Sequence, residues 1–421
     1  MCIRDREWTS TGTVDSVDIY YSTNTGVDWT LIVSDYTSGS PYGWLIPVEA
    51  IGDQTKIKIE RSGDPEVFDT SPDGGEGVFS IVPSIEVTSP TLGTEVWRVG
   101  ETHDITWDIN GTIDTVEIEY SADGGSTYNL IASDVTASDG TYAWTIPDNI
   151  SDTCLVRIYN SVDSTMYDVS DNYFKITGKI TVTYPNGGET FVVDSTEVIK
   201  WTKSGSIGNV EIRYSTDGGT TYPNLITPAD GVPASDLNYT WSPIPDDISD
   251  TVKIKIVLLE DTSVNDASDS DFFIKGSLTV TAPDGGETFY VGDTTDITWS
   301  KTGTLGNIEL RYSTDGGVTF PDTQVIDTGI PASDLSYTWT IPDAISNNVR
   351  VQIFLISDPA VSDTSNDDFS IKGTLTLTAP NGGEVWRVGT YENITWTRLG
   401  STLGNVKLEY SINDGSDGYP Y

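Results

Sequence analysis

One strand-and-turn segment occurs five times in the chain, and this repetition limits the possible folds more than any other feature of the sequence. The copy at residues 307–320 reads NIELRYSTDGGVTF, and in it apolar and charged side chains alternate from Ile308 to Tyr312. Alternation with a period of two is typical of a strand with one buried face. The Asp-Gly-Gly that follows tolerates the positive φ angles of a tight hairpin. The other copies begin at Val17, Val116, Val210 and Val406.

The spacing of the copies indicates that each belongs to a whole domain. The tryptophans that precede copies two to five, Trp107, Trp201, Trp299 and Trp396, lie 94, 98 and 97 residues apart. Solenoid and propeller units usually repeat every ~20 to 50 residues, whereas an immunoglobulin sandwich takes ~100. About seven or eight short strands fit in one period, with turn residues between them and no helical periodicity. We therefore predict an all-β chain of tandem immunoglobulin-like or fibronectin-III-like antiparallel β-sandwiches.

The repeats also define domain boundaries. We predict three complete repeats, residues 83–178, 179–276 and 277–373, between partial repeats at residues 1–82 and 374–421. The first partial repeat lacks the initial strands of the others, and the last contains the initial strands and the hairpin strand but lacks the final ones. MCIRDR at the N-terminus has no counterpart in any other copy. We interpret the sequence as a fragment of a longer chain in which MCIRDR is not native.

The segments between complete repeats are very short. Single glycines, Gly178, Gly276 and Gly373, separate the last strand of one repeat from the first strand of the next. So short a linker leaves neighbouring sandwiches little freedom to swing. We therefore expect the sandwiches to be arranged end to end as a rod.

Comparison of the copies with one another predicts the core. Each complete repeat has two tryptophans at matching places on two strands, and a phenylalanine on the last strand. These residues are Trp107, Trp144 and Phe174, then Trp201, Trp241 and Phe272, then Trp299, Trp339 and Phe369. Large aromatic side chains at fixed places in every copy are typical of core packing.

The charge of the chain excludes several kinds of partner. Asp and Glu number 64 against 22 Lys and Arg, which gives a net charge of -42. Such a surface repels nucleic acid and anionic membranes. No apolar run approaches the ~20 residues of a membrane span, so we expect no membrane insertion in this fragment. Hydrophobic residues make up 36% of the chain, which is enough for packed cores.

No catalytic constellation is evident, and we predict that the chain is not an enzyme. The single histidine, His103, aligns with Glu197, Thr295 and Glu392 in other copies and is expected at the surface. Cys154 aligns with valines on the inner face of a strand, which predicts a buried apolar role. Cys2 lies in the doubtful N-terminal segment, and two cysteines make no disulfide framework. Zinc spacings, phosphate loops and nucleophile elbows are absent from the sequence.

Recurring carboxylates raise one candidate cofactor, calcium. The candidate ligands lie in and around the P-D-x-I-S-D segments and are Asp148, Asp152, Asp246, Asp250 and Asp343. A second recurring set, before the last strand, is Asp69, Asp168, Asp266 and Asp363. Clusters of hard oxygen ligands suit Ca²⁺, which takes six to eight of them. Aspartates of this kind also accept hydrogen bonds from turn backbones, and both interpretations stay open.

A resemblance to a known family rests on the turns that open each repeat. PNGGETF at residues 185–191, PDGGETF at 283–289 and PNGGEVWRVG at 380–389 each precede an ITW-like strand, and a Y-x-W-x-I-P segment, with one extra residue before I-P in the third repeat, follows in the complete repeats. This order resembles the immunoglobulin-like domain of the Ser/Thr-rich cell-wall family, named for yeast glucan-synthesis proteins. Copy two departs from it at residues 90–95, where one of the paired glycines is replaced. The resemblance implies an extracellular or cell-wall module and brings no catalytic residues.

The hairpins carry a second resemblance. Ser215, Asp217, Gly219 and Tyr222, with the matching residues of copies two and four, are similar to the Asp-box hairpin of sialidase propellers. In that motif the aspartate bonds backbone N–H groups of the hairpin and the aromatic residue packs into the core. The motif is a turn device, and one box per ~97 residues does not fit a propeller.

These observations predict a non-catalytic stalk, adhesin shaft or filament component of a secreted or surface-anchored protein. The expected partners are other copies of the chain, cell-surface components or polysaccharide, and the expected location is extracellular or at the cell surface. The alternative is a series of accessory modules, including carbohydrate-binding ones, of a secreted carbohydrate-active or proteolytic enzyme. Its catalytic domain would lie outside this fragment.

Overall fold

The computed structural model describes residues 8–71, 77–416, 418–419 and 421, and its regular structure is β-strand with short 3-10 turns. Among these residues there are 35 strands. The predicted all-β fold of tandem immunoglobulin-like domains is confirmed. MCIRDR and Cys2 lie outside the described residues. The chain divides into two compact units, Met1–Ile180 with Lys203–Gly208, and Thr181–Thr202 with Asn209–Tyr421.

The first repeat forms a single five-stranded sheet. Its strands are β1 (Val17–Ser22), β2 (Thr30–Tyr36), β3 (Gly52–Arg61), β4 (Asp64–Ser71) and β5 (Phe79–Ile81). They are arranged in the order β2-β1-β3-β4, and β5 pairs with β3. A 3-10 turn at Val48–Ala50 leads into β3. Ile19, Tyr21 and Ile57 pack on one face of this sheet.

The second repeat is a complete sandwich. Its strands are β6 (Ser84–Ser89), β7 (Val96–Arg98), β8 (Thr102–Asn110), β9 (Thr115–Ser121), β10 (Asn129–Thr136), β11 (Thr141–Thr145), β12 (Ser151–Asn160), β13 (Asp163–Val169) and β14 (Phe174–Thr177). One sheet has the order β11-β8-β6, and the other has the order β10-β9-β12-β14-β7 with β13 paired to β12. A 3-10 turn at Ala137–Asp139 precedes β11.

The third repeat follows the same plan. Its strands are β15 (Lys179–Tyr184), β16 (Thr190–Val192), β17 (Glu197–Ser204), β18 (Asn209–Ser215), β19 (Asn224–Leu225), β20 (Val232–Pro233), β21 (Asn238–Trp241), β22 (Ser249–Leu258), β23 (Asn265–Ala267) and β24 (Phe272–Lys275). The sheets have the orders β15-β17-β21 and β16-β24-β22-β18-β19. The 3-10 turn is Ala234–Asp236.

The fourth repeat has the same topology, and two further strands follow it among the described residues. The strands are β25 (Ser277–Ala282), β26 (Thr288–Tyr290), β27 (Thr294–Thr302), β28 (Asn307–Ser313), β29 (Val325–Pro331), β30 (Ser336–Thr340), β31 (Ser346–Leu355), β32 (Asp358–Thr364) and β33 (Phe369–Lys372), then β34 (Thr374–Ala379) and β35 (Thr395–Leu399). The 3-10 turns are Asp322–Gln324 and Ala332–Asp334. The sheet orders are β25-β27-β30 and β26-β33-β31-β28-β29, and β34 pairs with β35.

The predicted core residues of the complete repeats lie between the two sheets. Trp107, Trp201 and Trp299 are at most 3% exposed. Each donates its indole N–H to the carbonyl of an alanine in the 3-10 turn, at 2.9 Å. The turn alanine is itself buried. This bond gives the polar edge of the tryptophan a partner inside the core.

One pairing in each complete sandwich is parallel, although we predicted antiparallel sheets. The short strands β7, β16 and β26 run alongside the last strands β14, β24 and β33 in the same direction. The chain crosses from one sheet to the other after the P-N/D-G-G-E turn. It then runs beside the last strand instead of returning to the first.

The glutamate that ends the P-N/D-G-G-E motif closes the turn, because its carboxylate accepts hydrogen bonds from backbone N–H groups of the turn. In the third repeat the Glu189 carboxylate accepts hydrogen bonds from the backbone N–H groups of Asn186 (2.9 Å) and Gly187 (2.8 Å). Glu287 and Glu384 do the same in the next two copies. In copy two, where a glycine is replaced, Glu95 accepts from Thr91, Leu92 and Thr94. In the fifth copy, the hydrogen bonds from the backbone N–H groups lower the pKa of Glu384.

Two features of the strand prediction were wrong. The strands β13, β23 and β32 were missed, because their sequences are polar and give no apolar alternation. In the fifth copy, the predicted hairpin strand at residues 406–410 forms no strand. The equivalent strand β28 pairs on one side with β31, and no such partner is present beside residues 406–410 among the described residues.

Candidate functional site

Three of the five predicted calcium ligands lie where one repeat meets the next. Asp148, Asp246 and Asp343 each follow the proline of an I-P-D segment. Each contacts a serine or threonine 58 residues further along the chain, which belongs to the following repeat. The same contact therefore recurs at three successive joints.

At each joint, the aspartate carboxylate accepts hydrogen bonds from a single serine or threonine. Asp148 accepts the backbone N–H of Ser206 at 2.8 Å and its hydroxyl at 2.5 Å. Asp246 accepts the N–H of Thr304 at 2.9 Å and its hydroxyl at 2.5 Å. Asp343 accepts the N–H of Ser401 at 2.7 Å. Hydrogen bonds to an ionised acceptor are shorter and stronger than neutral ones.

A glycine directly before the hydroxyl residue allows the repeats to approach. Gly303 has a φ of +74°, and a Cβ there would lie 3.0 Å from Asp246 Oδ1 and 3.1 Å from Ile248 Cδ1. A Cβ on Gly205 would lie 3.3 Å from Ile150 Cδ1, and one on Gly400 would lie 2.7 Å from Ile345 Cδ1. The isoleucine of the P-D-x-I segment thus packs against this glycine at each of the three joints.

The linker glycines are equally confined. A Cβ on Gly276 would lie 2.5 Å from both Leu305 Cδ2 and the carbonyl oxygen of Thr302. A Cβ on Gly178 would lie 2.3 Å from Ile207 Cγ2. Real Cβ atoms do not approach other atoms so closely. The glycines that we interpreted as short linkers are therefore packed against the next repeat.

The hydrogen bonds at the joint affect the acidity of two of these aspartates. The Ser206 hydroxyl and N–H lower the pKa of Asp148, and Thr304 lowers the pKa of Asp246 in the same way. The charges of Lys203 and Lys301 act in the same direction. Both carboxylates are largely solvated, so burial opposes these effects only weakly.

The other two candidate ligands have different surroundings. Asp152 is 75% exposed and pairs with Lys175 at 2.8 Å, and Asp250 is 74% exposed and lies 3.8 Å from Lys275. Lys275 also binds Asp358 of the next repeat at 2.6 Å. Within the described ranges, no three His, Cys, Asp or Glu side chains are grouped as a metal site would require. Calcium binding at these five aspartates stays a prediction.

A melting experiment separates calcium binding from charge screening. If the loops bind Ca²⁺, millimolar CaCl₂ should raise the melting temperature of the full chain by mass action, and the double variant Asp246→Asn/Asp250→Asn should reduce that rise. If screening of the net charge is the whole effect, NaCl at equal ionic strength should give the same rise. We expect the two salts to match, because the aspartates already have protein partners. A rise specific to CaCl₂ would contradict this.

Three aspartates of the second recurring set hold the first strand of each complete repeat. Asp168, Asp266 and Asp363 accept the backbone N–H of Val87, Val182 and Val280 at 2.7 to 2.8 Å. Each aspartate lies in or next to the edge strand that the sequence analysis missed. The carboxylate gives a partner to a strand N–H that would otherwise depend on water.

The hairpin aspartates bond as the sequence indicated, but the aromatic residue does not enter the core. Asp315 accepts the hydroxyls of Ser313 and Thr319 and the N–H of Thr319. Tyr128 is half-buried and lies under the guanidinium of Arg157, at 3.9 Å from its ring centre. A cation over an aromatic ring is favourable at the surface, and it keeps the tyrosine on the outer face of the sheet.

These hairpin carboxyls should titrate at unusually low pH. Hydrogen bonds from hydroxyls and backbone N–H groups lower the pKa of Asp123, Asp217 and Asp315 to about 2. The stability that they contribute is therefore present above pH 3.8 and is lost as the pH falls through about 2. Carboxyl ¹³C NMR titration should show this. Thr319→Val should raise the pKa of Asp315 and leave that of Asp217 unchanged, and equal ordinary values in both would contradict the hydrogen-bond explanation.

The two catalytic candidates take structural positions. Cys154 is fully buried, as predicted, and burial raises the pKa of its thiol. His103 is not simply a surface residue, because its ring stacks on Trp97 at 4.9 Å with an interplanar angle of 7°. Its Nε2 lies 3.4 Å from Glu101, which also pairs with Lys179.

Sequence reasoning missed the partners of the joint aspartates. Ser206, Thr304 and Ser401 each follow a glycine, five residues after the strand tryptophan. The signal that could have identified them is the constant separation of 58 residues from the I-P-D aspartate. No single repeat contains both partners, so an analysis of one repeat at a time does not pair them.

Comparison with known proteins supports the resemblance drawn from the turns. Residues 282–370 match the family model described as the Kre9/KNH-like N-terminal Ig-like domain. The predicted resemblance of the repeats to this type of domain is therefore confirmed. No match was found among the curated proteins. No helix among the described residues is long and apolar enough to cross a membrane.

Solved structures with fibronectin(III)-like modules or immunoglobulin domains also align with the chain. The fibronectin(III)-like modules of CbhA from Clostridium thermocellum are 18% identical, with a TM-score of 0.17, over 46% of this chain and 94% of that one. The N-terminal four Ig domains of Dscam1 isoform 6.9 are 12% identical, with a TM-score of 0.25, over 86% of this chain and 88% of that one. Likenesses at these scores carry no information on function.

Proposed function

We propose that the chain is a non-catalytic structural shaft of a secreted or surface-anchored protein, acting as a stalk, adhesin shaft or filament component. The observation that carries this proposal is the recurrence of one joint contact, Asp148 with Ser206, Asp246 with Thr304 and Asp343 with Ser401. A spacer requires contacts between successive domains, and this contact recurs between repeats. Its partners would be other copies of the chain or cell-surface components, including polysaccharide.

The charge of the chain is consistent with this role. A net charge of -42 keeps copies apart at low salt and is screened over ~8 Å at physiological ionic strength. The match to a Kre9/KNH-like Ig-like domain supports an extracellular or cell-wall location. The same charge disfavours nucleic acid as a partner.

Small-angle X-ray scattering of the full chain tests the proposal. At ~3.3 Å per strand residue, a complete sandwich adds about 35 to 40 Å to a rod. We expect a pair-distance distribution typical of a rod with the cross-section of one sandwich. A compact or strongly flexible profile would contradict a shaft and would favour accessory modules of an enzyme instead.

A further inference from the structure

We propose that the aspartate of each P-D-x-I segment is a latch that sets the angle between its own repeat and the next, and that the first joint is held without such a latch. The latch consists of the aspartate and the serine or threonine that it binds, at Asp148–Ser206, Asp246–Thr304 and Asp343–Ser401. This inference rests on the proposed structural role and specifies how that role is achieved.

The geometry of the third joint shows why the contact sets an angle and not only a distance. Both oxygens of Asp246 are used, Oδ1 by the N–H of Thr304 and Oδ2 by its hydroxyl. Hydrogen bonds weaken steeply when the donor, hydrogen and acceptor are no longer aligned. Two bonds to one residue therefore resist rotation of one repeat against the other.

Apolar side chains also pack at this joint, next to the hydrogen bonds between Asp246 and Thr304. A Cβ on Gly303 would lie 3.1 Å from both Ile248 Cδ1 and Val193 Cγ2, so these side chains already touch the glycine. The Lys301 ammonium donates to the Gly303 carbonyl at 2.7 Å and holds the turn that presents Thr304. Apolar packing alone is not directional. The two hydrogen bonds of the Asp246 carboxylate depend on direction, so they restrain the orientation of the repeats.

The first joint has the same layout but lacks the carboxylate. Val48 follows Ile46-Pro47 where Asp148 follows Ile146-Pro147, and valine has no acceptor for Thr112. A Cβ on Gly111 would lie 2.6 Å from Ile51 Cδ1 and 3.0 Å from Pro83 Cβ. Pro83 stands where the later joints have a linker glycine, and its ring fixes φ. This joint is thus restrained by proline and apolar packing.

Distance measurements between spin labels test the latch in the full chain. Labels replace the exposed residues Glu260 and Val318 on either side of the third joint, in a background of Cys2→Ser and Cys154→Val. Valine occupies the position of Cys154 in the third and fourth repeats, so that change fits the core. The test variants are Asp246→Asn and Thr304→Val, and Asp236→Asn is the charge-matched control away from the joint.

We expect a narrow distance distribution in the background chain and a roughly twofold broader one in both test variants, since each variant weakens or removes a hydrogen bond between Asp246 and residue 304, while the apolar contacts and the Lys275–Asp358 ion pair remain. Asp236→Asn should leave the width unchanged. A second label pair at Val27 and Val162, across the first joint, should give the same width in all variants. An unchanged melting temperature would show that the variants still fold.

Other results would contradict either the latch or the shaft. If the background distribution is narrow and stays narrow in both test variants, the latch is wrong while the shaft stands. If the background distribution is already broad, the shaft itself is wrong. A change on adding CaCl₂ that NaCl at equal ionic strength does not reproduce would make Asp246 a metal ligand and overturn the latch.

Discussion

Replacing Trp299 by alanine should lower the free energy of unfolding of the fourth repeat by about 3 to 5 kcal/mol. The side chain is 3% exposed, and its indole N–H is bonded to the Ala332 carbonyl at 2.9 Å. The change leaves a large cavity and removes the partner of a buried carbonyl. Because a domain has only ~5 to 15 kcal/mol of stability, this is a large part of it.

Calorimetry of the full chain should show the loss as one transition displaced to lower temperature. Trp299→Phe keeps most of the volume and removes the hydrogen bond, so it should shift that transition less. Trp386→Ala, at a side chain that is 44% exposed, should leave the transition in place. An undisplaced transition in Trp299→Ala would contradict the burial of this tryptophan.

Replacing Gly285 by alanine should destabilise the fourth repeat by about 3 kcal/mol or more, because two penalties add. Its φ is +127°, and a Cβ there would lie 2.3 Å from Asp367 Cβ and 3.0 Å from Asp367 Cα. Those atoms lie close to the backbone, so they cannot move aside without displacing the chain. The first glycine of the G-G-E turn is therefore required by both φ and space.

The neighbouring glycine is a matched control. Gly286 has a φ of +85°, and nothing lies within 4 Å of a Cβ built on it. Gly286→Ala should therefore suffer only the backbone strain of a left-handed residue, about 1 to 2 kcal/mol. Denaturant unfolding of the two variants separates the effects. Equal losses would show that strain alone explains the paired glycines.

The core was predictable because the copies of the repeat can be compared with one another within this chain. Trp107, Trp201 and Trp299 stand at one place in three copies, and alternation within each strand gives the side that faces inward. Both signals are local, so they survive without knowledge of how the sheets pair. Cys154 was placed in the core by the same argument, from the valines at its position in other copies.

The roles of the aspartates were not predictable, because aspartate has a different structural role at different positions of the repeat. Asp217 closes a hairpin, Asp266 holds a first strand and Asp246 binds the next repeat. All three carboxylates accept N–H groups, and the partners of the last two lie 84 and 58 residues away. Contacts at such separations depend on how the sheets and repeats pack. Composition and spacing alone do not separate an N–H acceptor from a calcium ligand.

The fifth copy shows that the strand pattern alone is not sufficient. Residues 406–410 keep the alternation of the hairpin strand, yet they form no strand. Ile394, Trp396 and Leu408 are between 40% and 54% exposed there. A strand needs its neighbours for hydrogen bonds and for a surface to cover, and propensity does not replace them.

The parallel pairing of β26 with β33 has a consequence for a repeat that is pulled at its two ends. Because these strands lie near the two ends of the repeat and point the same way, opposite pulls at the ends slide one strand past the other. The backbone hydrogen bonds between them then share the load together, whereas a hairpin pulled from its open end loses its bonds one at a time. Each complete sandwich has this arrangement. Pulling apart the ends of a complete repeat would therefore load this pairing in shear.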